Sequence, residues 1–78
     1  MREYGRKYTL AIAAELDAAR GRKHWAVEDV AKATGLTAST LRRYFRGERE
    51  INISAFIDIC AALGVEPGVI LHKAQFGE

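Results

Sequence analysis

Apolar residues recur at three- and four-residue intervals along most of this chain, and nowhere do they alternate with polar ones as in a half-buried strand. Ile12, Leu16 and Ala19, with Ala13 beside them, form a first stripe in an alanine-rich stretch, which predicts a helix over 10–20 capped by Thr9 and closed by Gly21. Val27, Val30 and Thr34 predict a second helix over 27–34, with Glu28 and Lys32 toward solvent and small Ala31 where the next helix crosses. Leu41, Tyr44 and Phe45 predict a third over 38–46, capped by Thr37 and closed by Gly47. Ile53, Phe56, Ile59, Cys60 and Leu63 predict a broad buried face on a fourth over 53–63, between Asn52 as cap and Gly64 as stop, with Ile57 at its edge. Pro67 opens a fifth helix in the first-turn position proline favours; it runs to about Lys73 on Ile70 and Leu71. Residues 1–8 (MREYGRKY) have no apolar period and contain Gly5, so they predict a flexible basic arm, and 75–78 predict a loose C-terminal tail. The fold expected is a compact all-α domain of five helices over 9–74.

The punctuation between the second and third helices carries the argument toward function. Gly35 can take φ > 0 and turn the chain sharply, Leu36 then enters the core, and Thr37 restarts the helix. A short helix, a glycine turn and a capped second helix form a helix-turn-helix pattern. At 100° per residue, Leu41, Tyr44 and Phe45 anchor one side of the third helix, while Ser39, Arg42, Arg43 and Arg46 share the other within about 100° of arc.

Charge sharpens that picture. The net charge is only +2, but it is unevenly placed. Residues 20–49 hold eight Lys/Arg against Glu28, Asp29 and Glu48, a net +5, whereas residues 50–78 come to −3 and residues 1–19 to zero. Clustering of this kind is the footprint of a polyanionic partner, although a solvated face with scattered charge gives the same count. Arg2, Arg6 and Lys7 of the arm are further candidates for phosphate contact.

Composition excludes several classes. Seventy-eight residues with 49% apolar content allow one domain and one small core. A lone cysteine, Cys60, cannot form an internal disulfide, fits a reducing compartment, and reads as inert core rather than a nucleophile. The only histidines, His24 and His72, lie too far apart for a zinc-spaced cluster, so no metal or other cofactor is expected. No apolar run reaches membrane-spanning length and no signal-peptide pattern opens the chain, which points to the cytoplasm. No nucleophile–base pair is visible, so an enzyme is the least favoured class, and no small-molecule ligand is evident. Trp25 reads as a core plug at the entrance to the second helix.

The span from about Trp25 to Leu71 resembles the phage repressor and Cro-like helix-turn-helix family. The residues that carry the resemblance are Val30-Ala31, Gly35-Leu36-Thr37, Ser39-Thr40-Leu41, Arg46-Gly47, Asn52-Ile53, Phe56 and Ala62-Leu63-Gly64-Val65. The resemblance implies a lambda-repressor-like domain that binds a double-stranded DNA operator, commonly as a dimer on a palindrome. Family positions that touch bases fall on Thr37, Ala38, Ser39, Arg42 and Arg43. Positions that touch the backbone fall on the start of the second helix at Val27 and on the segment around Arg46, Glu48 and Arg49, to which Arg22 and Lys23 are added by their charge. Val27 stands where the family often has glutamine, Ala26 where it often has a capping serine, and Thr34 where it has a larger apolar residue. The loop at Gly21–His24 is about three residues longer than usual.

Arginine can donate two hydrogen bonds to guanine O6 and N7, so Arg42 and Arg43 predict a G-containing half-site, with phosphate contact as the alternative for either. Ser39 would assist, and Ala38 could touch a thymine methyl. The last third of the chain, with Ile57 and Val69 at its margins, is the candidate homodimer surface. Two functions follow: a sequence-specific transcriptional regulator, or an antitoxin-like module whose main partner is a protein docked on that apolar third.

Overall fold

The computed structural model describes residues 2–77. Its elements are α1 (Arg2–Arg22), α2 (Val27–Thr34), α3 (Ala38–Phe45), α4 (Ile53–Leu63) and α5 (Pro67–Phe76). No strand occurs among the described residues, and the five-helix expectation holds. α2 and α4 begin and end where the periodicity puts them. α3 stops one residue early, because Arg46 takes the capping position and Gly47 adopts φ 70 behind it.

The start of the chain departs from expectation. Residues from Arg2 onward are helical, so the basic arm is the first two turns of α1. Gly5 costs a helix interior about 1 kcal/mol relative to alanine. The cost is offset by partners distant in sequence. The Arg6 guanidinium donates to the carbonyl of Gly47, and Leu10 lies directly over Gly47. Tyr4 and Tyr8 pack edge to face one turn apart, with ring centroids at 5.1 Å. Thr9 is therefore an interior residue and not a cap.

The far end of α1 also runs on. Gly21 is helical, and the chain turns instead at His24, which takes φ 60. Here the Lys23 amide donates to Ala19 and the Trp25 amide to Arg20. α5 likewise extends to Phe76, so residues 75 and 76 of the expected tail are helical and Gly77 closes the helix at φ 72. Met1, Glu78 and the side chain of Arg2 lie outside the described residues.

α1 packs along α5 and crosses α3 and α4, while α2 lies against α3 and α4. Where they meet, Leu16, Val30, Leu41, Ile59, Cys60 and Ile70 are fully buried. Trp25, Phe45, Leu36 and Val27 pack on this core from its rim. Burial pushes the Cys60 thiol up from its ordinary value, in keeping with an inert core position.

Two expected core residues are outside it. Ile53 is 76% exposed and Leu71 45%. Ile53 opens α4 at the rim of the core, although Ala55 and Phe56 in the same turn are buried. Leu71 follows the buried Ile70 by 100° around α5 and so looks away from the core. Together with Thr9, Ile12, Ile51 and Phe56 they line a shallow apolar groove. Among the described residues no single helix is long and apolar enough to cross a membrane.

Candidate nucleic-acid interface

The turn between α2 and α3 is built from local hydrogen bonds. The Thr34 hydroxyl donates to the Val30 carbonyl at 2.8 Å and accepts from the Leu36 amide at 3.2 Å. Gly35 takes φ 80, and its amide donates to the Ala31 carbonyl at 2.8 Å. Thr37 Oγ1 accepts from the Thr40 amide at 3.1 Å, the N-cap bond that starts α3. It also lies 2.9 Å from the Thr40 hydroxyl. Thr37 is thus committed to setting the direction of α3.

Ala26 has no side chain with which to cap α2. The deficit is met from the other direction: the Asp29 carboxylate accepts from the Ala26 amide at 2.8 Å. This is the return half of a capping box, placed by an acid at the third helical position. An acid three residues into a helix is the sequence signal for such a cap.

α3 is held by its inner face. Leu41 is 0% exposed and Tyr44 3%, with Phe45 half-buried on the core. Ser39, Arg42, Arg43 and Arg46 are all exposed, as the periodicity predicts. Thr37 is exposed and Ala38 half-buried at the head of the same helix. Arg49 is exposed in the loop beyond it.

The outward cations differ in what already holds them. Among the described residues Arg43, Arg46 and Arg49 form no ion pair, whereas the Arg42 guanidinium is paired with the carboxylate of Glu28 near the start of α2. Arg20, one of the eight basic residues of the central block, faces inward. It bonds Asp17 at 2.7 Å and the Trp25 carbonyl at 2.7 Å, and its guanidinium lies 5.6 Å from the Phe45 ring centre. Sequence reasoning missed both arrangements. The only local signal was the three-residue spacing of Asp17 and Arg20.

Val27, Arg42 and Arg46 come together with Asp17, Arg20 and Phe45 around one depression where α1, α2 and α3 meet. Arg22 and Lys23 do not line it. Arg22 ends α1 and Lys23 opens the turn after it, both exposed, and the Lys23 ammonium lies 4.7 Å from the centre of the Trp25 ring. Trp25 is therefore a partly buried plug with a cation on its outer face. Among the described residues no group of three or more His, Cys, Asp or Glu side chains is placed to hold a metal ion.

A profile of the helix-turn-helix family matches residues 16–70, more than half of the chain. The chain belongs to the helix-turn-helix family. The matched span begins inside α1 and ends in α5, so it contains the whole α2–α3 unit and the core beneath it. DNA binding by a transcriptional regulator is the activity that goes with this membership.

Solved structures show the same fold. The clp gene regulator ClgR from Corynebacterium glutamicum superposes with a TM-score of 0.84 at 24% identity, over 90% of this chain and 91% of that one. A second ClgR structure gives 0.85 at 24% identity, over 90% of this chain and 74% of its own. The restriction-modification controller protein C.AhdI from Aeromonas hydrophila gives 0.76 at 24% identity, over 80% of this chain and 94% of that one. No curated protein matches the sequence at a significant level.

Proposed function

We propose that this helix-turn-helix protein is a small repressor of the Cro-like kind that binds operator DNA with α3 in the major groove. The observation that carries this reading is the division of α3: Leu41 and Tyr44 are buried, while Ser39, Arg42, Arg43 and Arg46 stand together on the exposed side. A helix anchored in this way can enter a groove about 12 Å wide without disturbing the core.

In this reading Arg43 and Arg42 donate to guanine O6 and N7, with Ser39, Ala38 and Thr37 at the head of the helix near adjoining bases. Arg46 and Arg49 hold phosphates on one flank and Arg22 and Lys23 extend that contact. The backbone amide of Val27, at the start of α2, offers a further donor to a phosphate. Each phosphate neutralised adds about −0.9 to the slope of log affinity against log salt concentration.

The reading extends to a two-fold operator. Ile53, Ile57, Val69 and Leu71 are exposed on α4 and α5, in the acidic third of the chain that would not compete for DNA. Two copies joined there would present two α3 helices to successive half-sites. The same apolar side chains would serve an antitoxin-like module. The two readings separate by whether substitutions at Arg42 and Arg43, or at Ile57 and Val69, abolish activity.

Selection of bound duplexes from a random DNA pool tests the proposal. The expected result is enrichment of a G-containing half-site repeated with two-fold symmetry. A pool that emerges unenriched at low ionic strength would overturn it.

A further inference from the structure

The four arginines at and just beyond the outward face of α3 are not equivalent. Among the described residues the Glu28–Arg42 pair is the only ion pair joining α2 to α3; the other one, Asp17–Arg20, lies within α1. Arg43, next in sequence to Arg42, forms none. Both members of the pair are on the surface, with side chains 44% exposed for Arg42 and 61% for Glu28. A pair so open to water adds little to folding stability. Its consequence is electrostatic: it places a carboxylate beside the very cations expected to meet DNA, and it cancels the charge of one of them.

The bond uses Nη2 of Arg42 and Oε2 of Glu28. No protein acceptor takes Nη1 or Nε among the described residues, so those donors remain available while Nη2 is held. A phosphate offers Arg42 little that the carboxylate does not already supply. A guanine edge, with O6 and N7 side by side, offers a bidentate match to the guanidinium fork. Meanwhile a carboxylate facing a phosphate backbone repels every duplex alike. Specificity rises when an interface weakens wrong partners as well as strengthening the right one.

Resting on the reading that α3 contacts bases, we propose that Glu28 is a specificity-determining residue acting through Arg42: it withholds Arg42 from phosphates, so that Arg42 contributes binding only at a guanine. Glu28 itself touches no base and is a positioning residue.

The test compares wild type, Glu28→Gln, Arg42→Ala and the double variant. Each is titrated across a range of salt concentrations against the selected duplex and against an unrelated duplex of equal length. Circular dichroism checks that each is folded, which the exposure of both side chains favours. Glu28→Gln is expected to tighten the unrelated duplex several-fold and to steepen its salt slope by about 0.9. The selected duplex should tighten only by the general relief of repulsion and so by less than the unrelated one, because Arg42 already spends its fork on guanine there, and the ratio of the two affinities falls several-fold. In the Arg42→Ala background the same change should move both duplexes by one common factor. If Glu28→Gln shifts both duplexes equally in the wild-type background, or shifts neither, the role of Glu28 is overturned while base reading by α3 stands. If Arg42→Ala leaves base preference intact, base reading by Arg42 is wrong and the role of Glu28 goes with it.

Discussion

Two exposed surfaces of this small domain are built on helices anchored in the same way and finished in opposite chemistry. On α3, buried Leu41 and Tyr44 are backed by Ser39, Arg42, Arg43 and Arg46 facing water. On α4 and α5, buried Phe56, Ile59 and Ile70 are accompanied by exposed Ile53, Ile57, Val69 and Leu71. Cations in water are well solvated, so the α3 face is stable uncovered, and a polyanion that binds there gains by releasing the counterions condensed on the polyanion. The apolar face gains from being covered, because burial removes its hydrophobic surface from water. One core thus supports two surfaces that would recruit different kinds of partner. The division of charge along the chain, +5 over residues 20–49 and −3 over 50–78, follows the same line.

The comparison can be pressed by substitution, beginning where the largest effect on folding is expected. Gly47 closes α3 at φ 70, and a Cβ there would sit 2.5 Å from Leu10 Cδ2. The Leu10 methyl can rotate aside, but the left-handed backbone cannot be held cheaply by alanine. Gly47→Ala should therefore cost roughly 1–3 kcal/mol in urea unfolding and should weaken DNA binding along with it, because it tilts the end of α3. Unchanged stability would mean that the turn after α3 does not depend on the left-handed conformation at Gly47.

The apolar surface should respond differently. Ile53→Ser is expected to change unfolding stability by no more than about 0.5 kcal/mol, as for other exposed sites. It should instead reduce self-association in sedimentation and weaken binding to a two-fold duplex more than to a single half-site. A loss of stability as large as that from a buried isoleucine would show that the Ile53 side chain is covered within the monomer, and the contrast between the two faces would fail.

What the sequence made legible follows from where the determining contacts lie. The boundaries of α2 and α4 were readable because Gly35, Asn52 and Gly64 act on the backbone within a few residues of themselves. The outward side of α3 was readable because it depends only on helical period. The start of α1 was not. Gly5 and Thr9 look locally like a breaker and a cap, yet Arg6 and Leu10 reach Gly47 some forty residues away and carry the helix through. Ile53 was misplaced because a stripe shows which side faces inward without showing which of its residues fall at the rim of the core. The Glu28–Arg42 pair spans fourteen residues across a helix crossing, beyond the reach of any spacing rule for one helix.

The central claim is that the outward cations of α3 read base sequence. Its most direct test is the affinity of Arg43→Ala for the selected duplex and for variants of that duplex with each base pair changed in turn. Arg43→Ala should relax the choice of base at one G·C position, with a loss of about 1–3 kcal/mol of discrimination there and little change at the others. Uniform weakening on every sequence, with a salt slope shallower by about 0.9, would place Arg43 on a phosphate and contradict that claim.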